Sequence, residues 1–218
     1  MGSIDTMTLL GNSFIGLAEH LPIEKISVSD IVAASGKNRK TFYYHFEDKE
    51  RLIRWIFRRD LAAVLEDSVE PDSLVYENEA NPGAMPTLPY YVCKKLGVRS
   101  LDGSVFARAL ATCFENRRLY YAKALRATGP ETLQSYLRRL YVPAFEQDVR
   151  FILSNRYLPD ANIRFLSEFY AGALLTYLTN KVCDTSCEDV LGDVHPFDNI
   201  IHSSLESEIK KQQLKRVL

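Results

Sequence analysis

The first fifty residues hold helix start and stop signals so closely spaced that only short helices joined by tight turns satisfy them. Leu10, Phe14, Leu17, Ala18 and Leu21 fall at i, i+4, i+7, i+8 and i+11, one stripe of a helix that Pro22 ends. Ser27 and Asp30 make a capping box for a second helix from about Val28 to Ser35. Ile26 and Ile31 sit where a hydrophobic staple needs them, and Gly36 supplies the left-handed backbone of a sharp stop. Asn38 suits the cap of a third helix, Arg39 to His45, anchored inward through Phe42 and Phe46. Two short helices about a glycine turn form a helix-turn-helix. A fourth helix begins after Asp48, with Ile53, Ile56, Phe57, Leu61 and Val64 on one stripe, and is long enough to connect this module to the rest of the chain.

Composition fits a folded chain. At 218 residues, 46% hydrophobic and 25% charged, it is large enough for a buried core and is neither fibrous nor wholly disordered. No apolar run approaches a membrane span, and no secretory leader pattern is read at the start, so a cytoplasmic setting is expected. The four cysteines do not make a disulfide scaffold in a chain this long.

The net charge of −1 hides an uneven distribution. From Lys37 to Arg59 eight basic residues stand against three acidic ones, a local balance of +5 that leaves −6 for the remainder. A basic segment on an acidic body suits a DNA-reading module attached to a domain with another task.

Beyond Val64 the periodicity lapses from Ser68 to Pro89, which reads as an irregular connection holding Pro71, Pro82, Gly83, Pro86 and Pro89. Helical patterning returns over Tyr90 to Lys95, Ser104 to Ala127, Glu131 to Asn155, Ala161 to Asn180 and Pro196 to Arg216, with a kink or break expected at Pro143. No run of alternating strands and no glycine-rich phosphate loop is read. The expected fold is all-α: a helix-turn-helix domain over residues 1–47, a connecting helix over 48–66, and a helical dimerisation and effector domain over 67–218.

The run Ile26 to Glu50, and above all Thr41-Phe42-Tyr43-Tyr44-His45-Phe46 followed by Lys49-Glu50-Arg51-Leu52, resembles the DNA-binding domain of the tetracycline-repressor (TetR) family of bacterial transcription regulators. The resemblance covers roughly residues 6 to 60. It implies a homodimeric regulator, typically a repressor released by a small-molecule effector; the alternative is the same fold acting through a protein partner or coactivator bound by the C-terminal domain. Lys37 stands where the family commonly has a small apolar residue, and Arg39-Lys40 is more basic than in many members.

Physical reasoning reaches the same surface. Side chains at the start of a helix lying in the major groove reach base edges, so Asn38, Arg39, Lys40 and Thr41 are the candidate base readers. Tyr43, Tyr44 and His45 lie further along, where polar tips reach phosphate oxygens. Ser27, Ser29 and Lys49 combine a donor with a positive helix end and complete the phosphate-contact set, of which Tyr43, His45 and Lys49 match contacts in the family. A lysine in a first helical turn opposes the helix dipole, a small cost that an anion bound there would explain.

In the last third, Ile163, Leu166, Tyr170, Ala173, Leu174 and Tyr177 form one stripe and Phe165, Phe169, Gly172 and Thr176 another, implying burial on two sides. The second stripe, with Phe197, Ile201, Leu205 and Ile209 of the last helix, is the expected four-helix dimer interface. Such a dimer predicts a palindromic operator on double-stranded DNA. Aromatic residues from Tyr90 to Phe145 suit core packing better than a ligand pocket. A hydrolase built on Cys113 has no supporting motif, and Cys183 and Cys187 with His195 and His202 are too loosely spaced for zinc. Neither enzymatic activity nor a cofactor or metal is expected.

Overall fold

The computed structural model describes residues 2–194 and 200–214. Helix α1 (Ser3–His20) buries Leu10, Phe14 and Ala18 of the expected stripe, while Leu21 lies past its end and is exposed. A single 3-10 turn, Ile23–Lys25, leads to α2 (Val28–Ser35). Ser27 caps α2 as the sequence predicts: its hydroxyl accepts from the Asp30 amide at 3.3 Å, and its own amide donates to the Asp30 carboxylate at 2.8 Å. Gly36 closes α2 with φ at +64°, the left-handed region that favours glycine. The turn delivers the chain to α3 (Arg39–His45), whose Asn38 cap accepts the Thr41 amide at 2.8 Å.

Helix α4 (Lys49–Ser68) starts on its own cap, Asp48, and runs from the first three helices to pack on the helices that follow it. Its inward side carries Leu52, Ile56, Phe57 and Leu61 and also Arg58, whose side chain is wholly buried. Arg58 pairs with Glu77, donates to the carbonyls of Met85 and Leu88 and to the Tyr136 hydroxyl, and lies 5.2 Å from the centre of the Tyr90 ring. A buried guanidinium needs its donors answered, and here the 77–90 connection and Tyr136 answer both terminal nitrogens of Arg58.

That connection is where the sequence reading needs correction. Residues 76–90 are irregular as expected, but Tyr90 to Lys95 is not helical: the structure forms two small antiparallel ribbons. Strand β1 (Leu74–Val75) pairs with β2 (Tyr91–Val92), and β3 (Lys95–Gly97) with β4 (Ser100–Leu101). Aromatic and β-branched residues at Tyr90, Tyr91 and Val92 favour extended backbone, and Leu74 with Val75 supplies the partner that a window on the sequence cannot see. The frame of the fold is helical as expected, with these ribbons added.

The remaining helices are α5 (Ser104–Asn116), α6 (Arg118–Arg126), α7 (Leu133–Leu153), α8 (Asp160–Cys183), α9 (Val190–Val194) and α10 (Ile200–Leu214). The single helix expected over Ser104 to Ala127 is two, broken at Arg117, whose φ of −138° and ψ of 47° are not helical. Pro143, by contrast, does not end α7; it sits on the exposed side, where water can satisfy the carbonyl that proline leaves without a donor. The aromatic residues pack on one another: Tyr91 and Phe106 centroids are 4.4 Å apart, and Phe106 and Tyr141 4.9 Å. Core packing is thus where those rings go.

Candidate nucleic-acid interface

Phe42 and Phe46 are buried beneath α3, their centroids 5.8 Å apart, and Phe46 lies edge-on to Trp55 of α4. With that side fixed inward, α3 turns its other side to solvent. Asn38, Arg39 and Lys40 are exposed at its start and Thr41 is half-buried. The Asn38 side-chain carbonyl is occupied as the cap, receiving both the Thr41 amide and hydroxyl, which leaves the Asn38 amide group facing outward as donor. Arg39 donates to the Ser29 hydroxyl on α2 and keeps its other donors for an outside partner.

Further along, Tyr43 and Tyr44 are 56% and 80% exposed, large aromatic side chains left open where burial would ordinarily be favoured. His45 is half-buried and packs edge-on against Tyr44 at 4.9 Å. An α-helix of seven residues with arginine, lysine and two tyrosine tips outward and Phe42 inward, closed by the buried Phe46 that follows it, has the shape and donor set to enter a major groove.

Three of the phosphate candidates sit differently from expectation. Lys49 is half-buried, and its ammonium donates to the carbonyls of Ile23 at 2.9 Å and Ile26 at 3.0 Å, tying the start of α4 to the chain between α1 and α2. Those carbonyls give the cation in this first helical turn partners within the protein. Ser27 donates its hydroxyl to the Asp30 carboxylate at 2.7 Å. The hydrogen bonds from Ser27 hold the Asp30 carboxyl below its ordinary range, so a negative charge stands where a phosphate was expected. Ser29 remains half-buried beside Arg39 and acts as that arginine's acceptor.

The local charge balance also divides. Only Lys37, Arg39 and Lys40 of the eight basic residues lie on the turn and α3. Arg51 donates to the Gly83 carbonyl, Arg54 pairs with Glu131, Arg58 is buried, and Arg59 pairs with Asp60 at 2.7 Å. These four join α4 to the chain that follows it or to itself. Burial would have been the distinguishing signal, and a charge count does not carry it.

On α8 the first stripe faces inward, with Ala173 and Tyr177 half-buried, and the second lies at the surface. Ile163, Leu166, Tyr170 and Leu174 are buried, whereas Phe165 and Phe169 are 61% and 57% exposed with their rings stacked 6.0 Å apart. Thr176 is exposed, and Gly172 leaves open space where a Cβ would stand. Leu205 and Ile209 of α10 are not part of that exposed surface: both are buried in their own subunit, where α10 packs on α7 and α8. Four-residue spacing marks an apolar face without saying what it meets. Phe197 and the side chain of Ile201 lie outside the described residues, as do His195 and the side chain of His202.

Cys113 is buried and its thiol is pushed up by that burial, the reverse of what a nucleophile needs. Cys183 donates to the Ala122 carbonyl at 3.6 Å and Cys187 is buried. Among the described residues no helix is long and apolar enough to cross a membrane.

Residues 17–55, from the end of α1 into α4, match the family described as bacterial regulatory proteins, tetR family. The HTH-type dhaKLM operon transcriptional activator DhaS of Lactococcus lactis subsp. lactis (strain IL1403) is 35% identical over 77 residues. That match spans 35% of this chain and 40% of the relative's length. Among solved structures, the dihydroxyacetone kinase operon activator DhaS is similar with a TM-score of 0.54 at 18% identity, covering 95% of this chain and 97% of that one. A TetR transcriptional regulator from Streptococcus agalactiae 2603V is similar with a TM-score of 0.53, also at 18% identity, covering 92% and 95%. At that identity the likeness is one of fold.

Proposed function

We propose, from the match of residues 17–55 to the TetR family of bacterial regulatory proteins, that this chain is a regulator of that family, a cytoplasmic homodimer controlling transcription from a palindromic operator. The observation that carries the reading is the outward face of α3: Asn38, Arg39, Lys40 and Tyr44 stand in solvent above a buried Phe42 and Phe46. Arg39 and Lys40 read base edges, Asn38 and Thr41 add hydrogen bonds at the helix start, and Tyr43, Tyr44 and His45 hold phosphates and fix the register. Ser29 supports Arg39, and Lys49 and Ser27 act by holding the module together. The pair of exposed phenylalanines on α8, with Gly172 and Thr176 on the same stripe, supports dimerisation through that helix. The chain's parts divide as a helix-turn-helix domain to residue 47, a connecting helix, and a dimerisation and effector domain from residue 67.

Release by a small-molecule effector fits a repressor. Action through a protein partner on the C-terminal domain is the second reading, and it is favoured by one observation: the relative that is 35% identical over 77 residues is named as an operon transcriptional activator. Selection of bound sites from random duplexes, followed by footprinting, tests the DNA reading. A two-fold symmetric site with half-sites about 34 Å apart is expected; unselective binding to all duplexes overturns it. Placing that site before a reporter then separates repression from activation.

A further inference from the structure

The C-terminal carbonyls of a helix lack partners within it and carry the negative end of its dipole, so a cation placed there is held by charge and by hydrogen bonds together. Helix α6 supplies such cations to two helices at once. Lys123 donates from its ammonium to the carbonyls of Ala18 and Glu19, at 2.5 and 3.0 Å, with Leu21 at 3.5 Å; all three are at the end of α1. Arg118 reaches the end of α8, donating to the carbonyls of Lys181 at 3.1 Å, Val182 at 3.3 Å and Asp184 at 2.6 Å, and Arg126 donates to that of Cys183. Between them, the Tyr121 hydroxyl of the same helix donates to the Asp60 carboxylate of α4 at 3.0 Å.

Nine residues of α6 thus tie the end of α8, the helix with the exposed phenylalanine pair, to the two helices that orient the helix-turn-helix module. We propose that Lys123 is a positioning residue for operator recognition: it fixes the module against α6, and through Arg118 against α8, so that the two recognition helices of a dimer are held at the spacing of successive major grooves. Lys123 touches no DNA. Its effect is on the second binding event, which is intramolecular once one half-site is occupied and depends on geometry. The inference rests on the dimeric operator-binding reading above.

The experiment measures affinity for the selected palindrome and for a duplex bearing one half-site, in the full-length wild type, Lys123→Met and Lys123→Arg. Lys123→Met is expected to weaken palindrome binding tenfold or more while half-site affinity stays within twofold, and Lys123→Arg, which keeps a cation at the end of α1, is expected to restore most of the difference. An unchanged ratio of palindrome to half-site affinity in Lys123→Met overturns the proposal, including the case in which both affinities fall together, as a merely stabilising contact would cause. If Lys123→Met does not fold, Lys123→Gln carries the same comparison. A wild type that shows no preference for any duplex fails the DNA-binding reading itself, a different outcome from a wild type that prefers the palindrome and a variant that matches it.

Discussion

The Arg39 guanidinium donates to the Ser29 hydroxyl, so the arginine at the head of α3 is held from α2 rather than waving free. An arginine held at one nitrogen loses less conformational freedom when its other donors meet a guanine edge. Arg39→Ala is therefore expected to relax preference at one base position, costing about 1–3 kcal/mol there, and Ser29→Ala to weaken the same position by less. Binding to a panel of single-base operator variants measures both. Equal loss on every variant would place Arg39 on phosphate instead.

Lys49 bonds to Ile23 and Ile26 within the protein, which separates two consequences of removing it. Lys49→Met takes the ammonium from both carbonyls, of which that of Ile23 keeps the Ile26 amide, and is expected to lower stability by about 1–3 kcal/mol in urea unfolding. The slope of log affinity against log salt is expected to hold. Lys40→Ala should do the reverse, leaving stability intact and relaxing preference at the base position it reads.

Because Phe165 and Phe169 are exposed and Leu205 is buried, the two helices answer differently to mutation. Phe165→Glu with Phe169→Glu is expected to give monomer at micromolar concentration in sedimentation, with the helical circular dichroism signal retained. Leu205→Ala is expected to cost about 2–5 kcal/mol of stability from its cavity and to leave the association state alone.

Burial pushes the hydroxyls of Tyr91, Tyr120, Tyr121 and Tyr141 above the ordinary tyrosine range. A folded-state value above the unfolded one means the contribution is complete below the unfolded value, about 10, and is lost as pH rises past it. Stability is expected to fall above about pH 10 from these four groups. Tyrosinate absorbance should show a fraction of the tyrosines ionising only together with the loss of helix. A gradual, complete titration with the helix intact would contradict their burial.

What could be read without coordinates was what acts over three or four residues. The Ser27 and Asp30 box, the Gly36 stop, the Asn38 cap and the buried Phe42 and Phe46 each depend on immediate neighbours, and all appear as expected. Partnership between distant segments was not legible. Whether Tyr91 found Leu74 to pair beside, whether Lys49 met a phosphate or the carbonyls of Ile23 and Ile26, and whether Leu205 faced another subunit or its own core were decided only when the chain closed. Periodicity assigns a residue to a face and charge counts assign it a sign, but hydrogen-bond partners and buried contacts belong to surfaces brought together across the whole fold.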